Sequence, residues 1–228
     1  MKNNIPIDWQ PISKSLKKIY KEQNLSKDFK NDEKYLKEAF LFTESLWWQQ
    51  FYQMDKLNII MVSESPFFGD SKTYIYNENT PPSVFFYFKD LEAFTKEGEN
   101  ISKPKITIEQ KNMMYKYFKQ NGFITLDLFP FALNPNHTKL HYRNISKSLY
   151  QNLLEETKDN YLIPKLNRCL EKCDKNSHFV YRYKRLFDKT ENHFEKILLN
   201  ITNTKYKIDT VNGKGMHLDR DKLQSLLH

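Results

Sequence analysis

The chain has 228 residues, with 39% hydrophobic and 28% charged side chains, which suits one soluble globular domain. No stretch approaches the length of a membrane span, and the first residues lack the apolar run of a secretory signal, so a cytoplasmic protein with no membrane partner is expected. A monomer is also expected. The formal charge of +8 permits attraction to a polyanion by counterion release, but a solvated basic face has the same composition.

In chain order, residues 1–31 read as a polar, irregular extension with a short amphipathic piece around Leu16 to Tyr20. From Asp32 the pattern changes. Tyr35, Leu36, Ala39, Phe40, Leu46, Trp47 and Phe51 recur at three- and four-residue intervals, which predicts a helix with a broad apolar stripe. Trp47 and Trp48 are adjacent, so one is expected in the core and the other over a neighbouring loop. Leu57 to Val62 is a short continuous apolar run, expected as a strand covered on both faces. Ser63 to about Pro104 reads as a long irregular segment containing the aromatic patch SVFFYF at 83–88. Connections of this length carry function or disorder. Thr107 and Gln110 form a capping box for a helix reaching about Gln120, and Phe123 to Leu128 is the next strand.

Ile145 to Leu154 and Tyr161 to Cys173 are expected helices. Cys169 and Cys173 lie four residues apart, as two thiols on one helix face; two ligands alone cannot close a zinc site. The segment from Thr138 to Arg185 concentrates the charge, with 11 basic and 5 acidic residues. His178 to Tyr183 reads as a strand. Thr190 is expected to cap a helix through Phe194, Ile197, Leu198 and Ile201. A short strand at YKIDTV and a last helix capped by Asp219 complete the chain. Strands alternating with helices predict an α/β fold, a mainly parallel sheet with helices on both faces.

In such a sheet the loops at the carboxyl ends of the strands form the crevice. Three of these are chemically rich: SESPFFGD, DLFPFALNPNH and VNGKGMH. Glu64, directly after the first strand, is placed to orient water or act as a general base; its alternative role is to tie the loop through backbone N–H groups. Pro66 stiffens the loop, and Phe67 or Phe68 is a candidate wall. Tyr74 and Tyr76 sit at i,i+2, so an extended chain puts both rings on one side, either to stack a planar base or to fill the core. Asp127 is a loop anchor or a second polar catalytic group. The amide of Asn134 can pair with a base edge or with the backbone. His137 and His141 lie four apart without a zinc motif, and ordinary packing or surface contact is expected of them. In VNGKGMH, the glycines can present N–H groups to a phosphate, Lys214 adds a point charge, and His217 can support charge on a departing group. A plain surface turn is the alternative. The chain has no phosphate-binding loop of the nucleotide triphosphatases and no nucleophile elbow.

Taken together, Ser63-Glu64-Ser65-Pro66-Phe67, then Gly69, then Tyr74-Ile75-Tyr76 resemble the first motif of the uracil-DNA glycosylase superfamily, in its divergent bacterial branches. ITLDLFPFALN is similar to the strand and loop that frame the family's base pocket. VNGKGMH is similar in position to its carboxyl-terminal DNA-contacting loop. The resemblance covers residues 32–228 and leaves 1–31 outside as an extension. Ser63 stands where the familiar motif has glycine, Phe67 where it has a second proline, and the HPSP form of the last motif is absent.

The resemblance implies a three-layer α/β/α sandwich around a short, mainly parallel sheet. It implies hydrolysis of the N-glycosidic bond of a uracil or modified base flipped out of DNA, single-stranded DNA included, without metal or other cofactor. Glu64 and His217 would then be catalytic. Ser63, Ser65, Pro66, Phe67, Tyr74, Tyr76, Asn134 and Lys214 would bind substrate. Two other readings stay open: a nucleic-acid-binding protein that has lost hydrolysis, and a nucleoside or nucleotide hydrolase.

Overall fold

Four short strands form one all-parallel sheet in the order β2-β1-β3-β4: β1 (Ile59–Ser63), β2 (Phe123–Asp127), β3 (His178–Tyr181) and β4 (Ile208–Thr210). This is the arrangement in the computed structural model, which describes residues 6–80, 107–142, 145–190, 192–203, 206, 208–211 and 218–227. Ile59 of β1 sits opposite Phe123 on one side and His178 on the other. The first four residues of β1 and all of β2 are buried, so both faces of the sheet are covered. The molecule is a small α/β sandwich, as the alternation of apolar runs predicts.

Eight helices are present among the described residues. They are α1 (Trp9–Glu22), α2 (Ser26–Tyr52), α3 (Ile108–Asn121), α4 (Lys147–Lys158), α5 (Leu162–Leu170), α6 (Lys184–Thr190), α7 (His193–Thr202) and α8 (Arg220–Leu227). Among the described residues, none is long and apolar enough to cross a membrane.

The amino-terminal segment differs from the irregular extension expected of it. Asp8 caps α1 by accepting from the Gln10 N–H at 3.0 Å. Trp9, Ile12, Leu16, Ile19 and Tyr20 then fall on one helix face and are buried in the same core as the sheet. The lysines between them occupy the outer face. The boundary expected at residue 31 falls inside α2, and the Tyr20 hydroxyl donates to Asp32 Oδ2 at 2.7 Å, joining α1 to α2. Both Trp47 and Trp48 belong to the core rather than dividing between core and loop.

The capping box of α3 is present in both directions: Gln110 N–H donates to Thr107 Oγ1 at 3.2 Å, and Thr107 N–H to Gln110 Oε1 at 2.9 Å. Gly122 ends that helix in the left-handed region, with φ of 58°. Its carbonyl accepts from Asn58 and Ile59, which starts β1 beside β2. A Cβ on Gly122 would lie 2.5 Å from the Lys56 carbonyl oxygen and 2.9 Å from the Asn58 nitrogen. Both are backbone atoms and cannot swing aside. Gly122→Ala is therefore expected to lose about 2–4 kcal/mol of stability through left-handed strain and overpacking together. Urea unfolding of the two proteins checks this, and midpoints that coincide would contradict it.

Thr190 does not cap the helix that follows it. It closes α6, where its hydroxyl donates to the Leu186 carbonyl at 2.8 Å, and Asn192, at φ of 65°, begins α7. Helix α6 escapes the sequence pattern because only Leu186 and Thr190 of its seven residues are buried.

The strand order fixes where a ligand can enter. From β1 the chain returns to β2 on one side, and β3 pairs with β1 on the other side and leads outward to β4. Loops leaving β1 and β3 therefore diverge from neighbouring strand ends. A crevice opens at this kind of switch point.

Candidate functional site

A cavity of about 510 Å³ occupies that switch point. Ser63 to Phe68 line it from the end of β1, Ala132 to Pro135 with His141 and Tyr142 from beyond β2, and Arg182, Tyr183, Arg185 and Lys189 from beyond β3. The ladder continues past the strands and pins this floor. Leu128 N–H donates to Ser63 O at 2.9 Å, Phe129 N–H to Glu64 O at 3.1 Å, and Arg182 N–H to Val62 O at 3.0 Å.

Among the described residues Glu64 is the carboxylate that lines the cavity, and its side chain is 13% exposed. Its Oε2 accepts from Arg185 Nη2 at 3.1 Å. Its Oε1 is buried, and the carboxylate interacts with the buried hydroxyl of Tyr150. Burial first, and the Glu64 charge second, push the hydroxyls of Tyr142 and Tyr150 well above the usual tyrosine range. Both tyrosines are therefore neutral, and the Tyr142 hydroxyl donates to the Phe131 carbonyl at 2.9 Å. Lys189 packs behind them: its ammonium lies 4.7 Å from the Tyr150 ring centroid and donates to the Tyr142 carbonyl at 3.1 Å.

The SPFF stretch alternates between inside and outside. Pro66 is buried in the cavity wall, Phe67 is 40% exposed at the mouth, and Phe68 is buried against Ala39 and Ala132. Ser63 and Ser65 line the cavity, and the Ser65 hydroxyl interacts with Tyr142. Gly69, at φ of 143°, turns the chain beneath Asn134, whose Nδ2 would sit 3.6 Å from a Cβ added there. Asn134 lines the cavity, yet much of its amide holds its own loop. Oδ1 accepts from the Asn136 N–H at 3.0 Å, and the other end interacts with Tyr35, whose hydroxyl burial pushes up to about 12.

Tyr74 and Tyr76 are not cavity walls. Both are buried, with ring centroids 5.7 Å apart in an edge arrangement. Tyr74 donates to Asp127 Oδ2 at 3.4 Å, and the Tyr76 hydroxyl accepts from the Thr125 N–H at 2.8 Å. Their shared side is the core side, because the segment is drawn down onto α3 and β2. The Lys111 ammonium of α3 donates to the carbonyls of Asn77 and Thr80, and the Tyr115 hydroxyl to that of Ile75. The pair therefore anchors the loop after β1 and cannot stack a base from that position.

Lys214 and His217 lie outside the described residues, as does the SVFFYF patch. Asp127 is buried behind the cavity, not in its lining. It belongs to a polar cluster in which Lys165 Nζ meets Glu44 Oε1 at 2.7 Å and Tyr161 donates to the same oxygen at 3.2 Å. The Lys165 ammonium also sits 3.9 Å from the Trp47 ring centroid. Burial pushes the Asp127 carboxyl up to about 7; Lys165 draws it back and Glu44 pushes it further.

Arg182, Arg185 and Lys189 are the site residues that the sequence reading missed. Their signal is the stretch RYKRLFDK directly after the third strand, at the same kind of carboxyl end as the three loops singled out. His141, expected to pack or to make a surface contact, lines the cavity, while His137 stacks on Tyr35 with ring centroids 4.6 Å apart. Among the described residues, no group of three or more His, Cys, Asp or Glu side chains is placed to hold a metal ion, and Cys169 and Cys173 are free thiols. No protein-family profile, curated protein or solved structure matches the chain.

Proposed function

We propose that the crevice hydrolyses the N-glycosidic bond of a uracil or modified base turned out of a DNA strand, with the protein acting as a cytoplasmic monomer without a cofactor. One observation carries the reading: among the described residues, one carboxylate, Glu64, lines a cavity at the sheet's switch point with three cationic side chains. Cleavage leaves positive charge on the sugar and negative charge on the base. A carboxylate close to the sugar favours the first and can accept a proton from the attacking water. Cations favour the approach of the strand. Turning a nucleotide out costs a few kcal/mol, roughly, and a mismatched or single-stranded site reduces that cost. Phe67, at the mouth, offers an aromatic face to the base. Asn134, Lys214 and His217 are proposed to assist the departing base and its phosphates. The order of motifs that resembles the glycosylase plan supports the same reading.

The Glu64–Arg185 ion pair favours a second reading, a nucleic-acid-binding protein that does not hydrolyse, because the pair occupies one carboxylate oxygen. The two are separated by incubating the protein with oligonucleotides carrying altered bases and reading abasic sites as alkali-labile breaks.

A further inference from the structure

Glu64 meets partners of two kinds. Arg185 holds Oε2 from α6, but its side chain is 56% exposed, and an ion pair this open to solvent is weak and exchangeable. Tyr150 reaches the carboxylate from α4 and is fully buried. Glu64 Oε1 and the Tyr150 hydroxyl are both shielded from solvent, and among the described residues neither is hydrogen-bonded to any other group. A buried carboxylate oxygen without a donor is costly, and the cost falls on the charged form. Tyr142 cannot take this part, because its hydroxyl gives its one proton to the Phe131 carbonyl.

The surroundings prepare Tyr150 as a donor. Its ring packs edge-on against Phe129, with centroids 4.8 Å apart, which fixes the direction of the hydroxyl. The Lys189 ammonium, 4.7 Å from the ring centroid, draws electron density from the phenol and strengthens it as a donor. Burial first, and the Glu64 charge second, keep the proton on the oxygen. The phenol is therefore neutral throughout the acid range in which a carboxylate titrates.

We propose that Tyr150 is the positioning residue of Glu64: its hydroxyl donates to the buried side of the carboxylate and holds the group charged and aimed into the crevice, while the exposed Arg185 exchanges between Glu64 and a bound strand. Tyr150 lies behind the described lining and does not touch substrate. The inference rests on Glu64 being the working carboxylate of the proposed reaction and deepens it, by naming what keeps that group in its working form.

The pH titration of the Glu64 carboxyl carbon, followed by NMR in protein labelled with ¹³C at glutamate, tests it; the signal is assigned by its loss in Glu64→Gln. Tyr150→Phe keeps the ring and removes the donor, and it is expected to raise the Glu64 midpoint by about one pH unit. A fluorinated tyrosine at position 150 has nearly the same shape and is a stronger donor, so it is expected to lower the midpoint by roughly a few tenths of a unit. Tyr142→Phe is expected to move it by less than about 0.3 unit, since that hydroxyl donates elsewhere. Among the described residues, the other charged or titratable groups around Glu64 and Tyr150 are Arg185 and Lys189 on α6, Arg182 and Tyr183 before it, Tyr181 on β3 and His141 after β2. All of these are the same in every protein compared, so the differences report the substituted hydroxyl. An unmoved midpoint in Tyr150→Phe, or an equal shift in Tyr142→Phe, would overturn the role of Tyr150. If Tyr150→Phe does not fold, the fluorinated protein decides, and a midpoint that stays or rises overturns the role. Where base is released, the acid limb of its rate should move with the midpoint. The titration needs no turnover. A shifted midpoint without base release would overturn only the glycosylase reading, and base release with an unmoved midpoint only the role of Tyr150.

Discussion

Glu64→Gln is expected to slow base release about 100-fold or more while leaving DNA affinity within roughly twofold of the wild type. The substitution keeps the size of the side chain and an oxygen that can accept from Arg185. It removes the negative charge that would stabilise the sugar cation and take the proton from water. The loss therefore falls on the chemical step. Affinity is held up by a second effect: Arg185 keeps a hydrogen-bond acceptor but loses its counter-charge, so its positive charge attracts the strand more strongly. Single-turnover rates at saturating protein separate the two quantities. Equal rates in the two proteins would remove Glu64 from the chemistry.

Asp127→Asn should stabilise the protein, and increasingly so as the pH rises. The Asp127 carboxyl titrates at about 7 in the folded protein, against an ordinary value of 3.8, chiefly through burial. A carboxyl raised in this way keeps its proton longer in the native state than in the unfolded one. Its cost is absent below about pH 4, grows as the pH rises toward 7, and is constant above that. The variant removes the charge, and its Oδ1 can still accept from Tyr74. Its new N–H groups have to find partners, which offsets part of the gain near pH 5. Between pH 5 and pH 8 the variant is expected to gain about 2 kcal/mol on the wild type. Urea unfolding at the two pH values measures the difference. A constant difference would mean that Lys165 holds Asp127 charged throughout.

The fold was largely legible because burial leaves a simple trace. A continuous apolar run marks β1, Phe123, Ile124, Leu126 and Leu128 mark β2, and the Thr107/Gln110 pair marks the start of α3. Helix α1 was less plain: its five buried apolar positions are spaced correctly, but the lysines between them lower the apolar density of every short window. The site was half legible. Glu64 and the SPFF wall follow from a carboxyl-terminal strand end and are where that rule puts them. Tyr74 and Tyr76 show the limit of spacing, since i,i+2 states that two rings share a side and not whether that side faces core or crevice. The basic strip after β3 needed the strand order. Only the pairing of β3 with β1 brings Arg185 to Glu64, and local sequence does not encode which parallel strands are neighbours.

Release of a free base from DNA tests the central claim most directly. The purified protein is incubated with duplex and single-stranded oligonucleotides carrying uracil or modified pyrimidines, DNA binding is recorded on the same samples, and the released base is identified by mass. The account predicts free base and an equal yield of alkali-labile sites from at least one of these substrates, with Glu64→Gln bound but slow. Intact strands and no free base across the whole panel, with binding preserved, would contradict it.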